Sequence, residues 1–151
     1  MNMDRFVVTH EAGGEQTEVT RKVVTDFFRA LVDGDYELFE RVASPDMRQW
    51  VAGDFWWSGF HTLEEAKAVR DAWFSGLKDD GADFKFELLS VLADGNRASV
   101  ENRITATWKD GQPYESLCHI GLDVADGKVI GYREYFDTAY EARFHQSEKP
   151  Y

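Results

Sequence analysis

The chain has 151 residues, 28 of them acidic and 17 basic, which gives a formal charge of −11. That balance argues against a nucleic-acid partner, because tracking a phosphate backbone needs a basic surface, and it disfavours an anionic membrane for the same reason. Hydrophobic types make up 43% and aromatics 15%, enough to bury a sizeable core in a single domain assigned to 1–151.

The opening MNMDRFVVTH lacks the basic, apolar and small-residue regions of a signal peptide. No run approaches 18 apolar residues, so a spanning helix is not expected and a soluble cytoplasmic protein is. The single cysteine, Cys118, has no companion for an internal bridge, a zinc knuckle or a CxxC couple.

After a polar start through Gly13 and Gly14, the residues Val23, Val24, Phe27, Phe28, Leu31 and Val32 recur at spacings of three and four. This predicts a helix with one apolar stripe, ended by Gly34. Tyr36, Leu38, Phe39 and Val42 suggest a second short helix stopped by Pro45. From Asp46 to Gly59 a strand leads into an irregular aromatic loop. Thr62 and Glu65 have capping-box spacing, and Ala66, Val69, Trp73 and Leu77 give the helix that follows an apolar face.

From Phe84 the period changes to two. Turns at Asp94-Gly95-Asn96, Asp110-Gly111 and Asp126-Gly127 divide the rest into an antiparallel meander: Phe84 to Leu92, Ala98 to Trp108, Tyr114 to Val124 and Val129 to Phe136. Helices first and a meander second is an α+β pattern, with helices closing over one face of a curved, mainly antiparallel sheet. Such a sheet leaves a conical cavity wherever the enclosed side chains do not fill it.

Three stretches carry a family resemblance: FFRALVDGDYELFERVASPDM, the glycine-bounded aromatic loop ending in SG, and DGKVIGYREYFD. Together they resemble the NTF2-like superfamily, especially its SnoaL-like branch, from about Val19 to Phe144. The resemblance implies a cone of three helices and a bent sheet, commonly dimeric through sheet surfaces, so a homodimer is expected. Its members include steroid isomerases, polyketide cyclases, limonene epoxide hydrolases, dehydratases and proteins without catalysis, so particular residues must choose among them.

The isomerase donors fall on Phe27 and His119 and its base falls near Val51, so that constellation is missing. Of the epoxide hydrolase set, ENRIT supplies Arg103, but Thr105 stands where the first aspartate belongs and Glu134 where the second does; Tyr132 takes a pocket-aromatic position. The cyclase pattern, a histidine and an acid on adjacent strands assisting an intramolecular aldol closure, fits better through His119 and Glu134.

Strand alternation puts Glu115, Leu117, His119 and Gly121 on one face, and Tyr114, Ser116, Cys118, Ile120 and Leu122 on the other. In the last strand Ile130, Tyr132, Glu134 and Phe136 share a face, and the hairpin at Asp126-Gly127 makes His119 and Glu134 neighbours. His119 with Glu134, assisted by Arg103, is then a sufficient acid and base set for enolisation or aldol chemistry. A structural pairing of the same residues, or a solvent-facing ion pair of Arg103 with Glu101 two residues before it, is the competing reading. Thr105 and Asn102 are weaker candidates.

Phe27, Trp50, Phe55, Trp56, Trp57 and Tyr132 are the candidate ligand-binding residues, since large rigid rings suit an apolar small molecule. The tryptophan cluster could instead be core or dimer surface, and Asp54 beside it reads as a turn residue. His10, His61, His119 and His145 lack metal-ligand spacing, and no GxGxxG or GxxxxGK run is present, so neither a metal nor a dissociable cofactor is expected. Two functions remain open: a cofactor-independent enzyme acting by acid and base chemistry on an apolar carbonyl or hydroxylated metabolite, and a noncatalytic module binding an apolar ligand or a protein partner.

Overall fold

The computed structural model describes residues 14–145; the opening through Gly13, which includes His10, lies outside the described residues. Helix α1 spans Gly14–Asp33 and buries Thr20, Val23, Val24, Phe27, Phe28 and Ala30 along one stripe, as the three- and four-residue spacing demands. Gly34, at φ +68°, follows it in the left-handed conformation that ends helices cheaply only at glycine. Helix α2, Tyr36–Val42, starts where the Asp35 side chain accepts from the Leu38 amide.

Strand β1 follows at once, Ala43–Val51. Pro45 therefore lies inside a strand rather than stopping a helix. It is tolerated because the pairing of β1 with its neighbour shifts between Ala43 and Arg48, where no regular ladder bond is demanded of it. The aromatic stretch ends in a short strand, β2, Gly59–Thr62, that sequence reasoning did not expect. Helix α3, Leu63–Phe74, opens with the expected capping box, Thr62 and Glu65 each bonding the other's backbone amide.

The meander is present as β3 (Lys85–Asp94), β4 (Arg97–Thr107), β5 (Pro113–Ala125) and β6 (Lys128–Tyr135), followed by an unexpected short helix α4, Thr138–Phe144. All six strands form one sheet in the order β2-β1-β6-β5-β4-β3. Its pairings are antiparallel except β1 with β6, which are parallel. Register shifts between Leu88 and Ser90 and between Asp123 and Val124 bend and twist the sheet, as extra residues on one strand do. The second shift also changes which β6 residues face inward. Ile130 is thrown to the outside, 40% exposed, instead of sharing a face with Tyr132 and Glu134.

The fold is thus the expected α+β arrangement, with α1 and α3 covering one face of a curved, mainly antiparallel sheet. No described helix is long and apolar enough to cross a membrane. The core has two parts. One joins α1 to the sheet, where Phe27 meets Phe28 edge-on at 5.5 Å and Phe28 stacks on Phe86 at 5.5 Å. The other gathers Trp57, Trp73, Leu77, Ala106 and Tyr114 below α3.

Two hydroxyls fix α1 to the far hairpin. The buried Thr20 hydroxyl donates to the Gly95 carbonyl at 2.7 Å, and the Gly95 amide donates to the Thr17 hydroxyl at 2.9 Å. A side chain that keeps the shape of Thr20 but lacks the hydroxyl leaves that carbonyl unpaired in a dry site. Thr20→Val is expected to lower unfolding free energy by about 1–3 kcal/mol, read from the denaturant midpoint; an unchanged midpoint would mean that water serves the Gly95 carbonyl equally well.

Candidate functional site

Between the inner face of the sheet and helices α1 and α3 lies a cavity of about 190 Å³. An apolar protein cavity of roughly 150 Å³ accepts benzene, so this one has room for a ring with a short substituent. Its walls are mostly aromatic: Phe27 and Phe28 from α1, Trp73 and Phe74 at the end of α3, Trp57 from the loop before β2, and Phe86 from β3. The inner positions of β5 and β6 supply the polar part, with Tyr114 and Cys118 on one strand and Tyr132 and Glu134 on the other.

Glu134 is the only carboxyl group among the described lining residues and is 7% exposed. Burial raises it from an ordinary 4.5 to about 7, the nearby Glu141 carboxylate adds to the rise, and a hydrogen bond from the Cys118 thiol opposes it. Cys118 is itself held well above its ordinary value, first by burial and then by Glu134, so it stays a thiol and acts as a donor. Tyr132 is raised by burial and then by Glu134, and Tyr114 by burial and then by Glu141. Both phenols therefore keep their protons.

Behind this floor, α4 carries a second buried acid. Glu141 is fully enclosed; its Oε1 accepts from the Tyr114 hydroxyl at 2.9 Å and from the Ser116 hydroxyl at 2.7 Å. Its Oε2 faces His145 Nε2 at 3.3 Å, one helical turn along. Sequence reasoning missed Glu141 because α4 itself was not expected. Asp137 followed by a helical turn was the available signal, since its side chain caps the Ala139 and Tyr140 amides.

The expected site residues divide between two faces. Phe27, Trp57, Tyr132 and Glu134 line the cavity together. His119 does not join them. It is exposed on the outer face of β5, hydrogen-bonded to Ser99, while its strand neighbours Cys118 and Ile120 are buried. Its Cα partner on β6 is Tyr135, and Glu134 pairs with Ile120, so His119 and Glu134 are close in register but point to opposite sides. On the inner face it is Cys118, not His119, that lies beside Glu134.

Arg103 also lies outside the cavity, between Glu87 at 3.6 Å and Glu115 at 3.5 Å. Asn102 is the residue of that stretch that turns inward, fully buried, and Thr105 points outward beside Glu115. Trp50 stacks obliquely on Tyr135 at 5.3 Å, where both border a shallow outer depression with Phe60 and Arg133. Phe55 and Trp56 stand behind Trp57, at ring distances of 5.1 and 6.2 Å. Asp54 is exposed in the loop, and Val51 is core. Among the described residues no cluster of three His, Cys, Asp or Glu is placed to hold a metal ion.

A family model described as SnoaL-like domain matches residues 24–143, which include both walls of the cavity and its floor. The chain belongs to the SnoaL-like branch of the NTF2-like superfamily. Solved structures agree. An NTF2-like protein from Burkholderia xenovorans is 25% identical over 86% of this chain and 98% of its own, with a TM-score of 0.69. A protein from a soil-derived mobile gene cassette is 24% identical over 83% and 95%, TM-score 0.71, and a candidate SnoaL-like polyketide cyclase from Jannaschia sp. is 16% identical over 92% and 99%, TM-score 0.72. The last two show likeness of fold. No curated protein sequence matches the chain significantly. Family and cavity together give this SnoaL-like chain the form of a small-molecule-binding domain.

The raised acid has a consequence for stability. Below about pH 4.5 Glu134 is protonated both folded and unfolded; above it the unfolded chain ionises while the folded one resists until pH rises through about 7. Over that window wild-type stability is expected to fall by roughly 3 kcal/mol on account of this residue. Glu134→Gln should remove that component of the slope, measured by urea unfolding at pH 4.5, 6 and 8.

Proposed function

We propose that this SnoaL-like chain is a cofactor-independent enzyme that moves a proton on an apolar carbonyl compound held in the cavity, with Glu134 as the acid and base. The observation that carries the reading is a single carboxyl group, raised to about 7, facing an aromatic cavity beside a protonated phenol. A base is most effective when its pKa lies near the working pH, where a useful fraction is ionised and the conjugate acid can still give the proton back.

Once ionised, Glu134 would take a proton from the carbon next to the carbonyl group. The C–H electron pair moves into an enolate, and Tyr132 is positioned on the same face to donate its hydroxyl hydrogen bond to the developing oxyanion. Where a C=C bond extends the enolate, it recovers the proton from Glu134 at the far carbon, an isomerisation; otherwise it attacks a second carbonyl in the same molecule and the alkoxide so formed takes the proton back from Glu134, a cyclisation. Cys118, beside the carboxyl group, remains a thiol throughout. His119 and Arg103, on the outer face, are left out of this mechanism.

The noncatalytic alternative uses the same cavity, with Glu134 as a hydrogen-bonding anchor for a neutral ligand. We also retain the cytoplasmic setting and the homodimer that the resemblance implied. Phe60, Leu117 and Tyr135 are exposed on the outer sheet face, which supports a second chain covering it. Sedimentation equilibrium should then give a two-chain mass.

Proton removal can be tested without the natural substrate. Exchange of the α-hydrogens of 4-phenylbutan-2-one in D₂O, followed by proton NMR, should be faster with wild-type protein than in buffer and should rise through pH 7. Glu134→Gln should lose about 10²-fold or more of that rate, and His119→Ala should leave it unchanged. Exchange that survives Glu134→Gln, or none in the wild type alongside measurable binding of the ketone, would leave the binding module.

A further inference from the structure

The cavity has a charged rim that the proton-transfer reading does not use. On α3, the cavity-facing positions Leu63, Ala66, Lys67, Arg70, Trp73 and Phe74 follow helical spacing, and two of them are cations. Lys67 is exposed and Arg70 half-buried, while Leu31 and the 44% exposed Val32 line the cavity from the end of α1. Exposed lining residues mark the opening. The mouth therefore lies between the end of α1 and the middle of α3, with both cations beside it.

Neither cation is held in a buried ion pair among the described residues, and Arg70 lies over the Phe74 ring at 5.0 Å. Lys67 has no carboxylate partner among the described residues; its ammonium lies 5.5 Å from the Phe39 ring centroid, itself a cavity wall. In a chain carrying 28 acidic side chains, an unpaired lysine at the mouth of an apolar cavity is an exception to the prevailing charge. Arg70 gives one guanidinium nitrogen to the Leu31 carbonyl at 3.2 Å and lies 3.7 Å from the exposed Asp71, which leaves further N–H groups free for an acceptor.

We infer that the ligand is an amphipathic organic acid, with an apolar body of about one ring in the cavity and a carboxylate at the mouth between Lys67 and Arg70. The arrangement separates the two ends by chemistry. A carboxylate cannot sit at the floor, because Glu134 and the aromatic walls offer it no cation; at the mouth it keeps partial contact with water and meets two positive charges. Arg70 also ties α3 to the end of α1, so an anion held there would brace the opening. The inference rests on the cavity being a ligand site, as proposed above, but not on any proton transfer in it.

The test is calorimetric titration at pH 6, where Glu134 is protonated and an added carboxylate is ionised, with 3-phenylpropionate and its neutral counterpart 3-phenylpropan-1-ol. Wild-type protein should bind the acid at least tenfold more tightly than the alcohol. Lys67→Gln alone, which spares the Arg70 bridge, should reduce the ratio of acid to alcohol affinity about threefold or more, and Lys67→Glu combined with Arg70→Gln should bring that ratio to about one. Equal binding of acid and alcohol, a preference that survives both variants, or no binding of either compound would overturn the inference. Acid preference without ketone exchange would sink only the proton-transfer reading, and Glu134-dependent exchange without acid preference would sink only this one.

Discussion

A carboxyl group held away from water is the constraint around which the rest of this molecule is arranged. Ionising Glu134 in its place costs about 3 kcal/mol more than the same event in solvent, because the walls around it are mostly rings and the Cys118 thiol is a weak donor. No cation among the described residues contributes to its shift. Burial with so little compensation is a plain loss of stability, and it is the feature on which the proposed proton transfer rests.

Keeping that acid dry depends on elements far apart in the chain. Helix α1 must lie flat on the sheet, which its Phe27 and Phe28 rings and the bonds of Thr17 and Thr20 to Gly95 secure. Trp57 must be brought over β6, where it stacks against Phe136 at 5.5 Å. On the same inner face of the sheet, α4 carries Glu141, whose negative charge raises Glu134 further while Tyr114 and Ser116 satisfy it. The two acids are thus treated oppositely: one is given strong donors and the other is denied them. That asymmetry separates a structural carboxylate from one available to a ligand.

The helical order and the meander were readable in the sequence. Stripes at three and four residues, glycine and aspartate turns, and the Thr62 capping box are local signals, and each element they marked is present. Missed were β2, only four residues long, and α4, whose signal was the Asp137 cap. Pro45 was misread because a proline rule for helices says nothing of a strand irregularity. The site was half visible: Phe27, Trp57, Tyr132 and Glu134 were named and do meet, whereas His119, Arg103 and Trp50 project from the other face.

The reason for that division is physical. Sequence alone fixed the alternation along each strand, and so determined that Cys118 and His119 must face opposite ways and that Tyr132 and Glu134 must share a side. Which side becomes the interior is not a local property. It is decided by the face on which α1 and α3 come to rest, by the parallel pairing of β1 with β6, and by the extra residue at Ile130 that resets β6 against β5. One residue of register exchanges the inner and outer sets, because the side-chain period of a strand is two. The chemistry of the chain was therefore written in its residues, and only the tertiary structure decided which of them share an enclosed space.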